Sequence, residues 1–187
     1  MALPSLLYRL GAGPYDWMTA HDDWRADCAA LAAHLPAAGP RIVLDVGCGP
    51  GVSTRALAAA SPRDRLIGLD RFDAMIRRAV QADPARRCAW VQGDAAALPL
   101  RTDAVDAVVG HSVLYLLPDR SAALAEIRRV LRPGGALLLV EPAVLPLRAS
   151  ARGVWRTLRE AGPRLALTMT CWRIAARASG AFGPGAL

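Results

Sequence analysis

Between residues 41 and 141 the chain alternates short runs rich in leucine and branched side chains with alanine-rich stretches of helical periodicity. The apolar runs read as five strands, Arg41–Val46, Arg65–Asp70, Arg87–Gln92, Ala104–Gly110 and Ala136–Glu141. Three helical stretches fall between them, Val52–Ala60, Phe72–Ala82 and Arg120–Arg132. Strand and helix in alternation is the pattern of a parallel sheet covered by helices. In the third helix Leu124, Ile127, Val130 and Leu131 recur at one-face spacing, and Pro133-Gly134-Gly135 predicts a sharp stop before the last strand. Ahead of the sheet, Trp17, His21, Trp24, Cys28, Leu31 and Leu35 follow helical spacing, with Asp16 as N-cap, so one face of that helix is expected on the core. Behind the sheet, residues 148–180 read as two arginine-rich amphipathic helices broken near Gly162-Pro163, with Trp155, Leu158, Leu165, Met169 and Trp172 as apolar members; Leu165–Thr170 also fits a strand's alternation. The expectation is a single domain over residues 1–187, with a helical lid at 1–38, a core at 41–141 and a basic helical tail at 142–187.

Composition narrows the class. A chain of 187 residues with 53% hydrophobic and 21% charged residues is long enough for one real core and is not the composition of a disordered protein. The formal charge is +7, and all 23 basic residues are arginines. They are scattered rather than gathered into an arm or stripe, which argues against nucleic acid as a partner, although a basic surface attracts anionic substrates or lipid headgroups. Cys28, Cys48, Cys88 and Cys171 show neither zinc spacing nor a redox pair, so no metal is expected and a reducing cytoplasm is the simplest setting. No apolar run reaches membrane-spanning length, and Arg9 interrupts the apolar patch at Leu6 and Leu7, where no leader is expected.

The chemistry concentrates in Val43-Leu44-Asp45-Val46-Gly47-Cys48-Gly49-Pro50-Gly51, an apolar strand that runs through an acid into a glycine-dense turn before a helix. Glycines let backbone approach a ligand closely, but a tight strand-to-helix turn needs them for structural reasons alone. A dinucleotide fingerprint wants a third glycine where Val52 stands, and here the acid precedes the glycines. Two further strands lead to acids, Leu66-Ile67-Gly68-Leu69-Asp70 and Val91-Gln92-Gly93-Asp94-Ala95. Asp70 sits where a carboxylate accepts from ribose hydroxyls, or caps the next helix; Asp94 also reads as a turn aspartate. A fourth strand, Ala107-Val108-Val109-Gly110, enters the polar turn His111-Ser112 at the sheet edge where open parallel sheets bind ligands.

In these four ordered motifs the chain resembles the class I, Rossmann-like S-adenosylmethionine-dependent methyltransferases, over residues 15–141, and within them the methyltransferase type 11 branch that acts on quinone precursors, lipids and natural products. The resemblance implies a doubly wound α/β fold with a mostly parallel sheet in strand order 3-2-1-4-5. It implies S-adenosyl-L-methionine as cofactor, bound by Asp45, Gly47, Cys48, Gly49, Gly51, Asp70, Arg71, Asp94, Ala95, His111 and Tyr15. Asp94 would face the adenine amine, the amide after it the ring, and the His111 turn the methionine end. Three acids in a basic protein suit a ligand carrying a sulfonium and an ammonium, where a pyrophosphate would prefer the opposite local sign.

Methyl transfer asks mainly for alignment and exclusion of water. His111 and then His21 are the candidate bases, but the structural role outweighs the catalytic one for each. Tyr15, Trp17 and Tyr115 form an aromatic lid or ordinary core packing. The acceptor is expected to be a small, apolar or aromatic molecule, the tail to allow a peripheral membrane contact, and the chain to be monomeric or a homodimer. Family members usually close the sheet with a helix and an antiparallel strand pair. Here that pair is missing or replaced by the arginine-rich helices, which leaves a truncated form, a covered edge or a partner as alternatives. The competing readings are a methyltransferase-fold binding or scaffold protein and, disfavoured by Val52 and the acids, a nicotinamide-dependent oxidoreductase.

Overall fold

Near-continuous burial along the three central strands marks a sheet covered on both faces. In the computed structural model, which describes residues 22–37, 39–141 and 159, five strands form: β1 (Ile42–Val46), β2 (Arg65–Asp70), β3 (Cys88–Gln92), β4 (Val105–His111) and β5 (Leu131–Val140). All neighbours pair in parallel, in the order β3-β2-β1-β4-β5. Successive side chains of a strand point to opposite faces, so β1 feeds two cores. Leu44 and Val46 join Leu69, Val105, Val108, Ile127 and Val130 on one face. Val43 joins Leu66, Ala107, Val109, Leu57 and Ala58 on the other, where Leu31 and Leu35 close the cluster.

Among the described residues, the helices around the sheet are α1 (Asp22–Ala30), α2 (Val52–Ala60), α3 (Asp73–Gln81) and α4 (Arg120–Val130). α1 packs on α2 and tightens into a 3-10 turn at Leu31–His34 instead of continuing as an α-helix to Leu35. Cys28, Leu31 and Leu35 are buried as the spacing predicted, while Asp16, Trp17 and His21 lie outside the described residues. α4 starts on Asp119, whose side chain accepts from the Ala122 amide at 2.9 Å, and carries Arg128 and Arg129 in its last turn, where positive charge suits the helix dipole.

Two expectations need correction. Leu124 is exposed, so the buried stripe of α4 is Ala123, Ile127 and Val130. Nor does Pro133-Gly134-Gly135 separate helix from strand. β5 begins at Leu131, straight after α4, with Val105 paired to Leu131 and Ala107 to Ala136. Pro133 has no amide to give the ladder and Gly134 takes a φ of 78°, so the chain leaves the ladder there and rejoins it in a shifted register, which is how a bulge is built. The arginine-rich helices expected beyond β5 in place of a closing strand pair lie outside the described residues, and among those residues β3 and β5 are the sheet's edges.

Leu44 is fully buried at the centre of the first cluster. Leu44→Ala is expected to lower unfolding free energy by about 2–5 kcal/mol. The check is a shift of the urea midpoint at unchanged slope.

Candidate active site

β1 and β4 are neighbours although α2, β2, α3 and β3 lie between them in the chain, and connections leave these two strands in opposite directions. Such a switch point opens a crevice beyond the strands' carboxyl ends. Its floor is the turn from Gly47 to Gly51. Gly47 and Cys48 both donate their amides to the Leu69 carbonyl, at 2.8 and 3.0 Å, and the Gly51 amide donates to the Cys48 carbonyl at 2.9 Å. Gly47 (φ 71°) and Gly51 (φ 79°) are in the left-handed region and also lack room: an added Cβ would lie 2.3 Å from the Val113 side chain in the first case and 2.4 Å from the Trp90 indole in the second. The Trp90 ring is tethered by its Nε1, which donates to Asp83 at 3.2 Å.

The three acids occupy distinct environments. Asp45, one residue before the end of β1, is fully buried. Its Oδ2 accepts from the hydroxyls of Ser53 and Thr54 at 2.5 and 2.6 Å, and its Oδ1 has no hydrogen-bond partner among the described residues. Burial raises its pKa to about 6, against the pull of the two hydroxyls and with a small push from the Asp70 charge. Asp70 ends β2, accepts the Gly49 amide on Oδ2 and the Phe72 amide on Oδ1, both at 2.9 Å, and so ties the glycine turn to β2. Burial raises its pKa too, opposed by those amides. Asp94 lies past the end of β3, half-buried, where Oδ1 accepts the Ala96 amide at 2.9 Å and Oδ2 faces the exposed Arg71 at 4.0 Å. Ala95 beside it is buried.

His111 is the last residue of β4 rather than part of the turn after it. Its ring meets Trp24 of α1 at a centroid distance of 3.9 Å, Nδ1 lies 3.3 Å from the Ser112 hydroxyl, and Nε2 is buried without a partner among the described residues. Burial pulls its pKa down to about 4, with the Asp27 charge acting the other way, so the imidazole is neutral at physiological pH.

The fold therefore brings Asp45, the glycine turn, Asp70 and His111 to one sheet edge, with Asp94, Ala95 and Arg71 beside β2; Tyr15 and His21 lie outside the described residues. The sequence reading missed Ser53 and Thr54, although two adjacent hydroxyls in the first turn after the glycines are a visible signal. It also missed Trp24 as the partner of His111, having read it as a core position only. Among the described residues no cluster of His, Cys, Asp and Glu could hold a metal ion, and no helix is long and apolar enough to cross a membrane.

Residues 44–139, just over half of the chain, match the family described as "Methyltransferase domain". Similar proteins include trans-aconitate 2-methyltransferase of Methylobacterium radiotolerans, 37% identical over 75% of this chain and 57% of that protein. The ubiquinone/menaquinone biosynthesis C-methyltransferase of Paracoccus denitrificans is 36% identical over 70% of this chain and 50% of its own length. Among solved structures, an S-adenosylmethionine-dependent methyltransferase from Mesorhizobium loti matches with a TM-score of 0.52 and 27% identity, over 65% of this chain and 54% of that one. The chain belongs to the S-adenosylmethionine-dependent methyltransferase family. It spans about half the length of the curated relatives it matches.

The two shifted groups act on stability with opposite sign. His111, at about 4 in the folded chain and about 6.5 unfolded, stabilises fully above pH 6.5, and that contribution is lost as pH falls towards 4. Asp45, at about 6 folded and about 3.9 unfolded, contributes fully below pH 4, and its contribution is lost as pH rises through 6. His111→Gln leaves Asp45 alone, so the variant gains on wild type by up to about 3 kcal/mol between pH 7 and pH 4. Urea unfolding free energies across that range measure it, and a constant offset between the two proteins contradicts the neutral buried imidazole.

Proposed function

We propose that this chain is an S-adenosylmethionine-dependent methyltransferase that methylates a small, apolar or aromatic acceptor. The observation that carries the reading is Asp45, a buried carboxylate with one oxygen unclaimed among the described residues, under a glycine turn at the switch point of a parallel sheet. The residues present fit the cofactor: the positive-φ glycines carry bare backbone along the crevice floor, and the acids match its two cationic centres. In this reading Asp70 takes the ribose hydroxyls, Asp94 and the Ala95 amide the adenine, and the turn Gly47-Cys48-Gly49-Pro50-Gly51 the methionine portion, with Arg71 flanking the adenosine side. Bound S-adenosylmethionine supplies a methyl group already activated by the sulfonium.

The protein's own task is then orientation and dryness. Asp45 and Asp70 favour a cation because burial makes their charges costly while uncompensated. Trp24 and His111 wall the β4 side of the crevice. The neutral His111 Nε2 accepts a hydrogen bond from an acceptor hydroxyl and aims it; a pKa near 4 suits aiming better than removing a strongly held proton. Support for a small-molecule acceptor comes from relatives whose names include trans-aconitate and ubiquinone/menaquinone biosynthesis methyltransferases.

Calorimetric titration tests this. S-adenosylhomocysteine is expected to bind wild type and NADH not to bind, with Asp70→Ala at least about tenfold weaker for the former, the scale of a lost hydrogen bond to a charged group. NADH binding with S-adenosylhomocysteine silent would overturn the reading. Tight adduct binding without methyl transfer to any of a panel of acids, quinols and phenols favours the binding-protein alternative.

A further inference from the structure

Glu141, immediately after β5, belongs to none of the motifs that point to a cofactor, yet its carboxylate is committed to the crevice. Oε1 accepts two consecutive amides from the far side of β4's turn, Val113 at 3.1 Å and Leu114 at 2.8 Å, where the 3-10 turn Leu114–Leu116 begins. The turn is also pinned from β5 by the Ser112 amide, which donates to the Val140 carbonyl at 2.7 Å with Ser112 held at a φ of 59°. A segment held at both points has little freedom to shift, and it carries one side chain into the cofactor floor. Val113 fills the volume in which a Cβ on Gly47 would sit, 2.3 Å away, and it stands 2.9 Å from the corresponding position on Gly110. A chain of contacts thus runs from the β5 carboxylate, through two backbone amides and one isopropyl group, to the first glycine of the turn.

Resting on the proposed adenosyl ligand, we propose that Glu141 is a positioning residue: through Val113 it sets the separation of the β4 turn from the glycine turn, and with it the affinity of the crevice for that ligand. A neutral partner would do this less firmly. Amides aimed at an ionised oxygen make shorter, stronger bonds than amides aimed at a neutral one, and among the described residues no other side chain accepts from these two amides. The carboxylate is itself partly buried, which raises its pKa, while the amides and the Arg120 charge pull it back.

The test is a double-mutant cycle on Glu141 and Val113, read as the dissociation constant of S-adenosylhomocysteine by calorimetry. Glu141→Ala is expected to weaken binding about tenfold, Glu141→Gln, which keeps the accepting oxygen, by no more than about threefold, and Val113→Ala by several-fold. The double variant should be no weaker than the worse single one, because both changes break one chain of contacts. Should Glu141→Ala not fold, Glu141→Asp, one methylene too short to reach the amides, takes its place in the cycle. Additive effects, or Glu141→Gln as damaging as Glu141→Ala, overturn the positioning role, since a carboxylate that merely stabilises the fold lowers the melting temperature without coupling to Val113. A second readout needs no ligand: amide exchange at Gly47 and Cys48 should accelerate in both single variants, and unchanged exchange overturns the proposal. Wild type that fails to bind S-adenosylhomocysteine, with exchange still accelerated in both single variants, would overturn the ligand assignment alone.

Discussion

A carboxylate with no access to water governs the carboxyl edge of this sheet. Asp45 holds the first turn of α2 onto β1 through the Ser53 and Thr54 hydroxyls, and that clamp determines how the glycine turn must travel between strand and helix. The same burial drives the carboxyl up to about 6 and, together with the charges of Asp45 and Asp27, pushes the Cys28 thiol of α1 up to about 12. An isolated buried charge is expensive and the expense falls when a cation arrives, so the site is poised electrostatically for a positive ligand rather than merely shaped for one.

The rest of the crevice follows from geometry around that clamp. Parallel pairing of β1 with β2 sets Asp45 opposite Gly68, and the Leu69 carbonyl one step further on takes both amides that open the turn. Trp90 of β3 lies over Gly51 and Gly68, where any side chain would collide with the ring. β4 completes the far wall, its terminal imidazole packed at a tilt of 50° against Trp24 of α1. The glycine turn and the β4 wall are therefore not separate modules; they meet where Val113 packs against Gly47.

Much of this was legible in the residues. β2 and α2 run over the predicted residues without a change at either end, because an acid closes the one and glycines open the other. Strand order followed from the resemblance and agrees with the observed sheet. What escaped the reading was tertiary. Pro133-Gly134-Gly135 looks like a helix stop in one dimension and acts as a bulge only because β4 lies alongside. Leu124 fits the apolar spacing of α4 but faces outward, since the stripe that meets the sheet is centred on Ile127. Asp45 was visible as an acid, but its two hydroxyl partners lie on the next element, and the bond from Glu141 to Val113 spans 28 residues. Local pattern reports which residue types are present; which of their atoms are left over depends on packing.

The central claim is that Asp45 is a buried carboxylate reserved for a cationic adenosyl ligand. Carbon-13 NMR titration of the Asp45 carboxyl, with and without S-adenosylmethionine, measures this directly. The account predicts a midpoint near 6 in the free protein and a clear downward shift when the ligand is bound, as a cation nearby favours the ionised form. A free-protein midpoint near the ordinary value of about 3.9, or one that the ligand leaves unmoved, would contradict it.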